Sequence, residues 1–223
     1  MKLSSNGPIF EVWASHLGDV WASVNWLLRF SMEKQEPIFV SRHVRDMGGD
    51  WHDVGYMVQT IADLLESTGK LEIVSDYGER KLQDAEIWRS FYLETKCKWR
   101  GKQSNLCGTQ WEGVSNPKGQ NVTEEEAKMI CSALEDIGFK HMVLGRPMSI
   151  EQIVEYLSRC RFFIGIDSGI SHIAHSITGL PVFIIKAKLT ARHIETVHHG
   201  KTYKLVHDLP SFIRDQLQPM WFI

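Results

Sequence analysis

The sequence predicts an α/β protein built from two small parallel-sheet halves that face a cleft. Three observations carry this. Short, largely apolar segments, among them Pro8–Ala14, Pro37–Val40 and Leu71–Ser75, read as strands, and the continuous apolar runs Phe162–Ile166 and Val182–Ile185 read as buried ones. Between them lie stretches with apolar residues at helical spacing, so strands and helices alternate, the pattern of parallel sheets with crossover helices. The run KCKWRGK at Lys96–Lys102 interrupts the alternation and reads as a linker between the halves.

In the first half, Pro8–Ala14 is a strand and Ser15–Asp19 a turn, with Asp19 expected to cap a helix running to about Ser31. Val20, Val24, Leu27 and Leu28 mark its inner face. Ser41–Asp53 reads as a polar loop, Val54–Ser67 as an amphipathic helix ended by Gly69, Gln83–Arg89 as helical and Phe91–Thr95 as a strand. In the second half, Asn105–Gln110 is a strand and Trp111–Gln120 a Gly/Asn/Pro loop. Thr123 with Glu126 three residues on forms a capping box for a helix to about Gly138. A strand at His141–Leu144 and a helix capped by Ser149 lead into RFFIGIDSGISHIAHSITG, Arg161–Gly179. There a buried strand breaks at Asp167-Ser168-Gly169 and a helix begins. Ile170, Ile173, Ala174 and Ile177 form its apolar face, and Ser168, Ser171, His172 and His175 its polar one. A His-rich loop, a strand at Tyr203–Val206 and a closing helix at Leu209–Leu217 complete the chain.

Composition bounds the function. With 223 residues, 43% hydrophobic and 23% charged, the chain has ordinary globular values. A net charge of −2 provides no global basic field for nucleic acid or anionic membrane. The N-terminus lacks an apolar signal segment, and no run reaches the roughly 18–20 residues that span a bilayer. Cys97, Cys107, Cys131 and Cys160 are scattered without a CxxC pair, which predicts reduced thiols and a cytoplasmic protein.

Chemistry gathers where strands pass into helices. A helix N-terminus at Asp167-Ser168-Gly169 offers backbone N–H groups and about half a positive charge, which suits a phosphate or diphosphate. Gly169 permits close approach, Ser168 adds a hydroxyl, and His172 lies beside them. Asp167 would repel a phosphate and is expected to orient the turn or a neighbouring donor. Gly18-Asp19 sets a carboxylate at the mouth of the first strand–helix turn, where it can serve as a general base. Lys118, in a loop before the Thr123 cap, could reach a phosphate. The same spacings equally fit helix caps at Asp19, Asp167 and Ser168, a solvated helix face at His172 and His175, and a solvated loop lysine. No metal motif is present: there is no HExxH, and Asp50-Trp51-His52-Asp53 is too sparse. The flanks of Ser168 do not form a hydrolase elbow. Lys96, Lys98, Arg100 and Lys102 around Trp99 form a local basic patch that would fit phosphate or nucleic acid.

With these residues in place, the chain resembles a GT-B glycosyltransferase of glycosyltransferase family 9, the heptosyltransferase-like group. FFIGIDSGISHIAHSITGLPVFII, preceded by Pro147–Glu151 and a helix, is similar to that family's D-[ST]-G-x-x-H-x-x-x-A-x-x-x-P signature. His16–Val20 resembles its first loop, and the Lys118 segment its donor-phosphate lysine loop. The resemblance covers about Trp111–Ile185 and Ala14–Leu28, and little of Arg29–Lys102.

The resemblance implies two Rossmann-like domains: residues 1–98 on the acceptor side, 99–208 holding the donor, and 209–223 as a closing helix. It implies transfer of a sugar from a nucleotide-diphosphate sugar to an acceptor hydroxyl, with inversion, no metal and no cofactor beyond the donor. Lys118, Asp167, Ser168, Gly169 and His172 would bind the donor. Asp19 would be the catalytic base, with His16 and Gly18 beside it on the acceptor side; outside the resembling segments, Arg42 and Arg45, with the patch Lys96–Lys102, are weaker acceptor-side candidates that would suit a DNA acceptor. The acceptor would be a bacterial surface glycan or, since compact phage enzymes of this type exist, a hydroxymethylated DNA base. The other readings are a non-catalytic nucleotide- or glycan-binding module and a sugar-nucleotide epimerase or hydrolase of the same fold.

Overall fold

A computed structural model describes residues 8–45, 49–76, 78, 80–86, 92–113, 121–186 and 203–217. The chain divides into two compact units, Met1–Lys96 and Cys97–Ile223.

The first unit holds a four-stranded sheet: β1 (Ile9–Glu11), β2 (Ile38–Ser41), β5 (Leu71–Val74) and β6 (Leu82–Asp84), in the order β5-β2-β1-β6 and parallel throughout. Helix α1 (Leu17–Lys34) joins β1 to β2, and α2 (Gly55–Leu64) precedes β5. The inner face of α1 buries Val20, Trp21, Val24, Leu27 and Leu28 completely or nearly so, four of which the apolar spacing marks. Phe10 of β1 meets Trp26 and Phe30 edge-on, each with ring centroids 5.5 Å away, while Trp26 and Phe30 stack at 5.0 Å.

Three sequence expectations change here. The Ser41–Asp53 segment is not a loop: β3 (His43–Arg45) and β4 (Trp51–Asp53) pair as an antiparallel hairpin. One inward residue, Val44, is 2% exposed, while its polar neighbours hide the strand pattern from hydropathy. Leu82–Asp84, expected to be helical in part, is the edge strand β6, recruited by pairing with β1 rather than by its own apolar content. Instead of a strand over Phe91–Thr95, the described residues there make one antiparallel bridge, Thr95 to Leu65. Around that bridge, Glu66 donates to the Glu94 carbonyl and Lys96 to the Leu64 carbonyl.

The second unit is a five-stranded sheet of β7 (Leu106–Gln110), β8 (Lys140–Val143), β9 (Phe162–Ile166), β10 (Val182–Lys186) and β11 (Tyr203–Leu205), again entirely parallel, in the order β11-β10-β9-β7-β8. Helices α3 (Glu124–Asp136), α4 (Ile150–Arg159) and α5 (Gly169–Ser176) connect them. The expected capping box forms at Thr123–Glu126, and the expected cap at Ser149 is also a capping box, with Gln152 as its partner. Every residue of β9 is buried, as befits the central strand. Leu209–Phe212 is α-helical (α6) and passes into a π-helical turn at Ile213–Leu217.

The run expected to be a linker is pinned onto this second unit from Cys97 onward. The Trp99 indole N–H donates to the Cys160 carbonyl at 2.8 Å, and Arg100 N–H to the Ser158 carbonyl at 2.7 Å. The Trp99 ring lies where a side chain on Gly179 would stand, 2.8 Å from that Cβ position. With φ at +91°, Gly179 is favoured on both steric and conformational grounds. Among the described residues, no helix is long and apolar enough to cross a membrane.

Candidate functional site

The strand order of the second sheet is that of a doubly wound fold whose switch point lies between β7 and β9. At such a point the crossovers leave toward opposite sides, and the carboxyl ends of the two strands open a crevice where ligands bind. Gly165 of β9 pairs with Gln110 at the end of β7. A Cβ on Gly165 would stand 2.6 Å from the Gln110 carbonyl oxygen and 3.1 Å from its nitrogen, so only glycine lets the strands close here.

Two residues beyond β9, Ser168 is the N-cap of α5. Its oxygen accepts from the Ile170 N–H at 3.2 Å, and its own N–H donates to Ser171 Oγ at 3.0 Å, a capping box made by two serines. The Ser168 hydroxyl donates to Gln110 Oε1, and Gln110 Nε2 donates to the Glu112 carbonyl at 3.0 Å. Thus the hydroxyl proton, expected to face a phosphate, points at Gln110 in this state. Asp167 is buried, and His172 Nε2 lies 3.8 Å from its Oδ1, an ion-pair separation longer than a direct hydrogen bond. A protonated His172 would therefore have a buried carboxylate behind it and the positive end of the α5 dipole beside it. That arrangement can receive an anion.

The polar face of α5 is less solvated than its spacing suggests. Ser171 is completely buried. Burial, aided by the charge on His172, pushes the His175 imidazole down to about 4, so His175 is neutral at physiological pH.

The first sheet has its own switch point at β1, because β2 and β6 flank it on opposite sides. Asp19 follows the carboxyl end of that strand. It is not the helix cap: His16 occupies that position without a side-chain bond, and Asp19 is the third residue of α1, where a carboxylate complements the helix dipole. His16 Nδ1 lies 3.6 Å from Asp19 Oδ2, and Gly18 sits between them in the first turn. At the same strand ends, Glu11 faces Asp84 across the β1–β6 pairing. Burial first, then the charge and hydrogen bond of Asp84, raise the Glu11 carboxyl above its ordinary range. Neither residue stands out in sequence, since their pairing joins positions 73 residues apart.

Arg42 and Arg45 belong to the hairpin segment. Arg42 is paired with Asp53 at 2.8 Å; that bond raises the guanidinium and, with the Gly55 N–H, lowers the Asp53 carboxyl. Arg45 Nε donates to the Gly49 carbonyl at 3.1 Å. In the basic run, Arg100 pairs with Glu155 at 2.8 Å and Lys96 Nζ donates to the Asp63 carbonyl at 2.6 Å. Lys118 lies outside the described residues. Among the described residues, no group of three or more His, Cys, Asp and Glu side chains is arranged to hold a metal ion.

The structure thus brings Asp167, Ser168, Gly169 and His172 together in one unit, and His16, Gly18 and Asp19 in the other. Gln110 is the neighbour that periodicity does not reveal. It ends a strand as a nominally polar residue, yet it is 9% exposed and tied to a helix cap 58 positions later.

Residues 107–181 match the family model of glycosyltransferase family 9 (heptosyltransferase). The matched segment runs from β7 through α5 and contains the whole Gln110–His172 cluster. It bears out the resemblance read from the sequence and does not extend to Asp19. No curated protein sequence matches the chain significantly. Among solved structures, the chain resembles the bacterial iron-containing dodecameric glycosyltransferase TibC from enterotoxigenic E. coli H10407, with a TM-score of 0.58, 13% identity, and coverage of 83% of this chain and 59% of that one. A second TibC structure, a dodecameric iron-containing heptosyltransferase in complex with ADP-D-beta-D-heptose, gives a TM-score of 0.56 at 14% identity, with the same coverage. The chain therefore spans about three fifths of the length of the structures it matches, and at these identities the likeness establishes the shared fold.

Proposed function

We propose that the chain is a glycosyltransferase that moves a sugar from a nucleotide-diphosphate sugar to an acceptor hydroxyl with inversion. The observation that carries this reading is a coincidence of position. The family match falls on the segment whose switch point gathers a helix N-terminus, Gly169 and a carboxylate-backed His172. Such a turn suits the leaving diphosphate: the helix dipole and His172 oppose charge as it develops, and Gly169 admits the phosphate to the backbone. Lys118 is proposed as a further cation for that charge. Asp19, following the end of the other sheet's switch strand, is the proposed general base that takes the acceptor proton as the sugar carbon gains oxocarbenium character.

A glycan hydroxyl is the favoured acceptor. Three of the residues that would suit a DNA acceptor are engaged within the fold: Arg42 pairs with Asp53, Arg100 with Glu155, and Trp99 packs on Gly179. The ADP-heptose in the TibC complex makes ADP-sugars the first donors to test.

The test is a panel of ADP-, UDP-, GDP- and CMP-sugars, scored for binding by thermal shift and for transfer by mass spectrometry of glycan acceptors. Asp19→Asn should keep donor binding within about twofold and lower transfer by at least about a hundredfold, the range of a lost general base. Normal transfer by Asp19→Asn would remove the base assignment. Donor consumption without any acceptor would favour a hydrolase or epimerase.

A further inference from the structure

We infer that Gln110 is a positioning residue of the donor site, holding Ser168 as a cap so that the backbone of the α5 first turn, rather than the Ser168 hydroxyl, faces the diphosphate. This rests on the glycosyltransferase reading above. The geometry is a directed chain of hydrogen bonds. Ile170 N–H donates to Ser168 Oγ, Ser168 O–H donates to Gln110 Oε1, and Gln110 Nε2 donates to the Glu112 carbonyl. The last bond fixes which end of the amide meets the serine, because a carbonyl accepts and cannot donate. Each bond polarises the next, so the three act together. Gln110 is itself held by the tight Gly165 contact on its backbone and is nearly buried, so the amide has little freedom to turn. Ser168 in turn accepts the Ser171 hydroxyl on its carbonyl at 2.7 Å, which anchors the residue at both ends.

Of the natural side chains, the carboxamide has the length and polarity for this role. A carboxylate at the same place could still accept from Ser168. It would oppose the Glu112 carbonyl and place a negative charge beside the bound diphosphate. Protonated, it would donate to Glu112 and accept from Ser168 as the amide does.

The test is Gln110→Glu. Dissociation constants for ADP-glucose and UDP-glucose, whose diphosphates keep their charge over this range, are measured by calorimetry at about pH 5 and about pH 8. The readout is the ratio of variant to parent at each pH, which removes the pH dependence the two proteins share. The expected ratio is at least about tenfold at the higher pH and within about threefold at the lower, because burial at this position favours the protonated carboxyl. Gln110→Met, of similar length without the amide, should show a loss of about fivefold at both. A ratio near one for Gln110→Glu at both pH values would overturn the inference while leaving the donor site standing. Equal losses at both pH values would also overturn it, marking Gln110 as packing alone. If the parent binds neither nucleotide sugar nor any other donor in the panel, the glycosyltransferase reading falls and this inference with it.

Discussion

Replacing Gly165 with alanine adds one methyl group where β9 pairs tightly with the end of β7. The new carbon would stand 2.6 Å from the Gln110 carbonyl oxygen and 3.0 Å from the Phe163 ring. An ordinary contact begins near 3.4 Å, so β7 and β9 must part by about 0.8 Å at this point. Both first-named neighbours are backbone or ring atoms inside a close-packed layer, which cannot swing aside as a flexible side chain would. Overpacking of this kind costs about 1–3 kcal/mol. Pulling Gln110 from Ser168 removes about 1 kcal/mol more. The reduced freedom of the unfolded chain offsets about 0.5–1 kcal/mol. The net loss is about 2 kcal/mol, a fall of about 1 M in the urea midpoint for a slope near 2 kcal/mol per M. Because a chain of two compact units need not unfold in one transition, the assay is hydrogen exchange of peptides from Leu106–Gln110 and Phe162–Ile166 along a urea series. Gly138→Ala is the control: its φ is +76° but nothing lies within 4 Å of the added carbon, so only backbone strain of about 1 kcal/mol opposes it. A Gly165→Ala midpoint within about 0.3 M of the parent would refute the argument that this glycine sets the strand spacing.

Two further outcomes follow from other parts of the second unit. The His175 imidazole falls from 6.5 to about 4 on folding, so the unfolded chain holds the proton more tightly and stability drops as pH falls through that interval. The contribution is fully present above about pH 6.5, and its loss reaches about 3 kcal/mol by pH 4. His175→Gln should flatten stability-versus-pH curves in that window, and an unchanged slope would contradict it. Trp99→Ala should lower the stability of the second unit by about 2–3 kcal/mol, from lost packing on Gly179 and the lost bond to Cys160. If instead stability held and only a salt-dependent DNA affinity fell, Trp99 would be an interaction residue.

Much of this was legible because the local signals were strong. The capping boxes at Thr123 and Ser149 announce two helices, and Phe162–Ile166 is so apolar that only a central strand suits it. The Asp167–His172 corner was legible as a strand–helix turn. Its meaning depends on which strand lies beside it, and that is a matter of topology: the switch between β7 and β9 joins residues more than fifty positions apart. Gln110 was invisible for that reason. The β3–β4 hairpin escaped because only Val44 faces inward, and β6 because an edge strand needs few apolar residues when its neighbour supplies the template. Asp19 shows the opposite error. Its residue type suggested a cap, while the chain starts its helix three residues earlier than that cap would and leaves His16 at that position. The basic run around Trp99 suggested a binding patch from composition, and the fold uses its indole and Arg100 internally.

A donor diphosphate held at the carboxyl edge of β7 and β9, as proposed, should leave its mark in hydrogen exchange of the whole chain with and without the nucleotide sugar that binds in the panel. Exchange should slow in Asp167–Ile173 and in the peptide that ends at Gln110–Glu112, with Leu71–Val74 unchanged. Protection that spares Asp167–Ile173 and falls elsewhere would contradict it.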